Sequence, residues 1–180
     1  MKNLFFLMSI ALVFQLKAQT AYQEIATPNG DPFLLGKISK ANLKASPYQT
    51  WYKNNYEAYP VDENLVSLFK KELNQHEVVL FLGTWCGDSK REVPRMLKIL
   101  ETANFPEKQL KIVALDRRKD NYKKGPNGEE IGWNIKRVPT LILLKNGVET
   151  NRIVERPVDT LEEDLLAILT NLDYTPNYAN

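Results

Sequence analysis

The stretch FLGTWCGDSKREVP, residues 81–94, carries the only cysteine of the chain, Cys86. Val78-Val79-Leu80-Phe81-Leu82 runs into it, a continuous apolar segment of strand length that reads as a buried central strand. Gly83-Thr84-Trp85-Cys86-Gly87 interrupts the run. Val93, Met96, Leu97 and Leu100 then recur at helical spacing. Cys86 is therefore expected where a strand turns into a helix. The first backbone N–H groups of a helix lack partners inside it, and its dipole favours negative charge. Both favour a thiolate, which is the nucleophilic form of cysteine. Gly87 lets another chain approach closely, and Ser89 can offer its hydroxyl to the sulfur. Asp88 works in the opposite sense, because a carboxylate disfavours a second negative charge beside it. A cysteine buried as a small hydrophobe is the plainer alternative.

Working outward, Asp62 is placed to cap a helix reaching about Gln75, with Leu65, Val66, Phe69 and Leu73 on its inner face. Leu110 to Leu115 reads as a second buried strand, ending at Asp116. A polar loop follows, then a short helical piece over Glu129–Asn134. Thr140–Leu144 is a third strand, Asn146-Gly147 a two-residue hairpin turn, and Glu149–Glu155 the returning strand. Asp159 with Glu162 reads as a capping box opening a last helix through Leu172. The two strands joined through the Cys86 helix should run parallel, with the hairpin adding an antiparallel edge. The tail, residues 173–180, reads as polar and loose.

The beginning of the chain differs in character. A short positive start, the apolar segment Leu4–Leu16 and then Lys17-Ala18-Gln19 read as an export signal ending near Ala18. About 13 apolar residues are too few for a membrane-spanning helix. Residues 19–61 read as an extension. Its turn cluster is Thr27–Pro32, and its aromatic set Tyr48, Trp51, Tyr52, Tyr56 and Tyr59 recurs at helical spacing for packing. Of the 180 residues 43% are apolar, enough for a packed core. Residues 1–18 hold Lys2 and Lys17 and no acid, so the remaining chain has balanced charge. The basic run Arg117-Arg118-Lys119 and Lys123-Lys124 has no stacking aromatic set with it. It reads as a solvated loop, with no nucleic-acid partner. A single cysteine in an exported chain has no partner for an internal disulfide, which points to a reactive thiol or an intermolecular bond.

Trp85-Cys86-Gly87-Asp88-Ser89-Lys90 resembles the thioredoxin active-site motif Trp-Cys-Gly-Pro-Cys-Lys, with Asp88 for the proline and Ser89 for the second cysteine. Pro94 matches the proline of that family's active-site helix. Val138-Pro139-Thr140 matches its cis-proline loop, and Asn146-Gly147 its hairpin turn. The resemblance covers residues 62–172. It implies an α/β thioredoxin-like fold, a central mixed β-sheet flanked by helices, here with an N-terminal helical extension. It also implies that Cys86 attacks and Ser89 assists, while Trp85, Gly87, Asp88, Val138, Pro139 and Thr140 hold a substrate chain. Two departures stand out. Leu80 occupies the place of a buried aspartate, and Ser89 cannot resolve a mixed disulfide, because a hydroxyl is a poor nucleophile toward sulfur.

The resulting expectation is an exported, periplasmic thioredoxin-like protein with a CxxS monothiol motif. It would act in thiol–disulfide exchange as a monothiol oxidoreductase or isomerase. Its partners would be periplasmic protein thiols or disulfides, with an external thiol reductant for resolution. No cofactor, metal or membrane partner is expected after signal removal, and a monomer is. The alternative is a redox-silent module binding proteins in the same groove. A glutathione-linked activity would need a basic anchor, for which Arg137 is the obvious residue. His76, the only histidine, reads as a surface residue, Asp116 as a turn former, Trp133 as packing, and Glu155-Arg156-Pro157 has no evident role.

Overall fold

The computed structural model describes residues 22–28 and 30–179. The apolar run before Cys86 is a strand, Glu77–Leu82, in which every residue after Glu77 is buried. In chain order the strands are β1 (Tyr22–Thr27), β2 (Gly30–Ile38), β3 (Glu77–Leu82), β4 (Leu110–Ala114), β5 (Thr140–Lys145) and β6 (Val148–Val154). The helices are α1 (Lys40–Leu43), α2 (Gln49–Ala58), α3 (Glu63–Leu73), α4 (Gly87–Thr102) and α5 (Leu161–Leu169). The six strands form one sheet in the order β1-β2-β4-β3-β5-β6. β3 and β4, joined through α4, are parallel, and the other neighbours are antiparallel. This mixed sheet flanked by helices is the expected α/β thioredoxin-like fold.

Strand alternation divides the interior in two. Val78, Leu80 and Leu82 of β3 face one side, with Ile112, Ala114, Leu141 and Leu143. Residues from α2 through α5 pack on that side, including Tyr52, Phe69, Leu97 and Leu165. Val79 and Phe81 face the other side with Val113, Leu115, Ile142 and Leu144, covered by Trp85, Cys86, Trp133 and Ile135. The thiol thus borders the smaller of the two cores.

Several local expectations hold. Asp62 Oδ1 accepts from the Asn64 and Leu65 N–H groups at 3.0 Å and caps α3. Asn146 and Gly147 take φ of 54° and 77°, the left-handed pair that a two-residue hairpin turn requires. Others need correction. Residues 22–38 are not helical: they form the β1–β2 hairpin, and β2 pairs with β4 to widen the sheet. The last helix is capped one residue later than expected, by Thr160, whose Oγ1 accepts from Glu163 N–H at 3.1 Å. Glu129–Asn134 is a series of turns rather than a helix, because Gly128, Gly132 and Asn134 adopt positive φ. The tail is docked: Tyr174 donates its hydroxyl to Asp164 Oδ2 at 2.9 Å, and its carbonyl accepts from Asn151. His76 is buried at 3% exposure, with Nδ1 2.9 Å from the Glu72 carbonyl. The expected export signal, residues 1–18, lies outside the described residues.

Candidate active site

Cys86 is the N-cap residue of α4, with extended backbone at φ −87° and ψ 130°. Its N–H donates to Gly83 O at 2.9 Å, closing the turn that leaves β3, and its carbonyl accepts from Lys90 N–H at 3.0 Å. The side chain is half-buried and makes no capping bond. Its Sγ instead donates to Val138 O at 3.3 Å. The unpaired N–H groups of the first turn lie directly behind the sulfur in sequence. Gly87 is exposed, and a Cβ placed on it would meet no described atom within 4 Å. The first turn of α4 is therefore open to an approaching chain.

Trp85 forms the rim. Its Nε1 donates to Leu115 O at 2.9 Å, and its ring lies 5.3 Å from that of Tyr122. Gly83 makes this placement possible, since a Cβ there would come within 2.6 Å of the indole.

Ser89 is fully buried, and its Oγ accepts from Gly83 N–H at 3.2 Å. The hydroxyl expected to serve the sulfur thus has a structural partner, and it fastens the end of β3 to the first turn of α4. Asp88 is held by Arg91, whose Nη2 donates to its Oδ1 at 2.7 Å. The same guanidinium donates from Nε to Glu92 Oε1 at 2.6 Å, so its single positive charge is shared between two carboxylates. Pro94 lies inside α4 and offers no N–H to the Lys90 carbonyl. Leu80, at the place of the family's buried aspartate, is fully buried.

The Val138–Pro139 peptide is cis. Val138, Pro139 and Thr140 are all buried, so the loop offers backbone more than side chains. Thr140 Oγ1 donates to Arg137 O at 2.8 Å and braces the loop from beneath. Pro139 O accepts from Glu155 N–H at 2.7 Å, which gives the Glu155 segment a role that its sequence did not disclose.

Sequence reasoning missed Tyr122, Lys123 and Tyr178. Lys123, assigned to a solvated basic loop, has φ 61° and donates from Nζ to Lys136 O at 2.5 Å, with its ammonium 5.0 Å from the Tyr122 ring centre. Burial, and then the charge of Arg137, push its pKa down, against the pull of Cys86 and Glu155. Arg118, from the same run, is also spoken for: it pairs with buried Asp116 at 2.6 Å. Asp116 organises the loop as well, accepting from Arg118 N–H at 2.8 Å, as a turn former should. Trp133 packs, with its ring 6.1 Å from Phe81. Among the described residues no group of three or more His, Cys, Asp or Glu is placed to hold a metal ion.

The Thioredoxin family model matches residues 61–167. A Thioredoxin H-type protein of Populus jackii is 26% identical over 92 residues, 51% of this chain and 59% of that protein. The chain thus spans less than two thirds of that relative's length. Among solved structures, a Pseudomonas aeruginosa protein of unknown function matches with a TM-score of 0.50 at 13% identity, over 71% of this chain and 86% of its own. Fasciola hepatica thioredoxin matches with a TM-score of 0.37 at 18% identity, over 61% and 92%. The first of these structural likenesses is one of fold.

Proposed function

The chain belongs to the thioredoxin family, and from that premise we propose that it is a monothiol protein of thiol–disulfide exchange. The observation that carries this reading is the contact between the Cys86 sulfur and the Val138 carbonyl. A half-buried thiol sits against the peptide that precedes the proline loop, beside a helix turn left open by Gly87. A partner chain entering there would meet the nucleophile and backbone groups together.

The chemistry has two steps. The Cys86 thiolate attacks one sulfur of a partner's disulfide, forming a Cys86–partner disulfide and releasing the other sulfur as a thiolate. A second thiolate then attacks the mixed disulfide and restores Cys86. The serine at position 89 cannot supply it, so the resolving thiol comes from outside: a small thiol, a further cysteine of the partner, or a reductant protein. On the reading of residues 1–18 as an export signal, the setting is the periplasm and the partners are its protein thiols and disulfides.

The test is capture. Purified protein incubated with a disulfide-containing protein should yield a mixed disulfide, seen on non-reducing gels and located at Cys86 by mass spectrometry. Cys86→Ala should abolish it, and added thiol should release it. If no adduct forms while partner binding persists in Cys86→Ala, the groove is a redox-silent binding surface instead.

A further inference from the structure

We propose that the groove beside Cys86 selects polypeptides whose reacting cysteine is flanked by acidic residues, and that Lys123 and Arg137 read those residues. This names a substrate class for the exchange chemistry above and rests on that reading.

Both cations are anchored by contacts beside the proline loop. The Lys123 N–H donates to Asp116 O at 2.9 Å, and its Nζ bridges to the carbonyl of Lys136, two residues before Val138. The Tyr122 ring beneath that ammonium packs on Trp85, the residue preceding the nucleophile. Lys123 therefore spans from the rim beside Cys86 to the chain entering the proline loop. Arg137 immediately precedes Val138, and its guanidinium lies 5.1 Å from the ring centre of Tyr178. The C-terminal segment is itself fastened there. Lys136 Nζ donates to Tyr178 O at 2.9 Å, the Tyr178 hydroxyl bonds Glu155, and Asn177 Nδ2 donates to Arg156 O at 2.9 Å.

Positive charge predominates around the thiol without being unopposed. Of the nearby carboxylates, Asp88 is paired with Arg91, while Glu155 accepts the neutral Tyr178 hydroxyl, keeps its charge and pulls on Lys123 against the push of Arg137. Among the described residues neither Lys123 nor Arg137 closes an ion pair. The two cations also repel each other, which is one reason the Lys123 ammonium gives up its proton more readily than usual, after burial itself. An anion brought between them would relieve that repulsion. A partner with basic flanks would worsen it.

The experiment uses three synthetic peptides of equal length. Each has one cysteine in a mixed disulfide with thionitrobenzoate, flanked by glutamates, glutamines or lysines. When Cys86 sulfur attacks the peptide sulfur, the peptide–thionitrobenzoate bond breaks and the coloured thionitrobenzoate anion leaves, so one disulfide replaces another with no net oxidation. At low ionic strength the glutamate peptide should react about tenfold faster than the lysine peptide, and high salt should narrow the gap. Lys123→Glu or Arg137→Glu should reverse the order, and Lys123→Arg should keep it, which a merely structural role for these residues would not produce. Equal rates for the three peptides, with release still dependent on Cys86, would overturn the charge selection and leave the exchange chemistry standing. No release from any peptide would overturn both.

Discussion

The Thr84 hydroxyl accepts the backbone N–H of Leu34 at 3.0 Å, with both residues buried. This bond ties β2 to the loop between β3 and Cys86, fifty residues further along the chain. The N-terminal hairpin is therefore part of the scaffold that places the thiol, although the Thioredoxin family model begins only at residue 61. β2 also shields the outer edge of β4 by pairing Gly36, Lys37 and Ile38 with Ala114, Val113 and Ile112.

Thr84→Val keeps the shape of the side chain and removes the acceptor. The Leu34 N–H is then buried without a partner, at a cost of about 1–3 kcal/mol. Chemical denaturation should register that loss, and Thr84→Ser should recover most of it. If Thr84→Val were as stable as the parent protein, the hairpin would not depend on this bond.

Ser89 separates two roles that its position in the motif confuses. Ser89→Ala removes the acceptor of Gly83 N–H and should cost about 1–3 kcal/mol of stability while leaving a thiol at position 86 to react. Ser89→Cys restores a second sulfur and should let the mixed disulfide resolve internally, giving measurable turnover in an insulin-reduction assay. A folded Ser89→Cys protein without any turnover would mean that this groove does not admit protein disulfides.

The parallel β3–β4 pair, the β5–β6 hairpin and the cysteine at a helix start were legible because each rests on a local signal. These are a continuous apolar run, an Asn-Gly turn, and a break followed by helical spacing. β1 was illegible because it lies at the sheet edge with most of its residues exposed, so no buried alternation marks it. β2 was seen only as the short apolar piece Phe33–Gly36, since its first residues are Gly30-Asp31-Pro32. His76 looked like a surface residue because composition alone does not reveal a backbone carbonyl waiting for a ring nitrogen. Lys123 was read with its charged neighbours. Its turn toward the site depends on a left-handed backbone and on a carbonyl at residue 136, both of which are tertiary facts.

Gly83 offers a test of how the Trp85 rim is built. Gly83→Ala places a methyl within 2.6 Å of the indole, so the ring must leave its bond to Leu115 O and its contact with Tyr122. The expected result is a shifted Trp85 indole N–H resonance and a loss of about 1–3 kcal/mol. An unchanged resonance would mean that the backbone yields instead of the ring.

The alkaline limit of stability follows from the tyrosines of the extension and the tail. Burial, reinforced by a hydrogen bond from its hydroxyl to Glu101, pushes the Tyr56 phenol up to about 12 from its ordinary 10.0. Burial first, with nearby carboxylates second, also raises Tyr48, Tyr52, Tyr59 and Tyr174. In the unfolded chain these phenols ionise near 10, whereas in the folded protein they stay protonated. Below pH 10 both states hold the proton and the groups make no pH-dependent difference. Above it the unfolded state gains by releasing protons, so stability falls as pH rises from 10 through 12. Denaturant midpoints measured across that range should drop steadily, and phenolate absorbance from these tyrosines should appear together with unfolding. Gradual ionisation of these buried phenols in a protein that keeps its fold at pH 11 would show that they are open to solvent and that the hydrogen bonds of Tyr48, Tyr56, Tyr59 and Tyr174 to Glu24, Glu101, Glu162 and Asp164 do not hold the extension and tail in place.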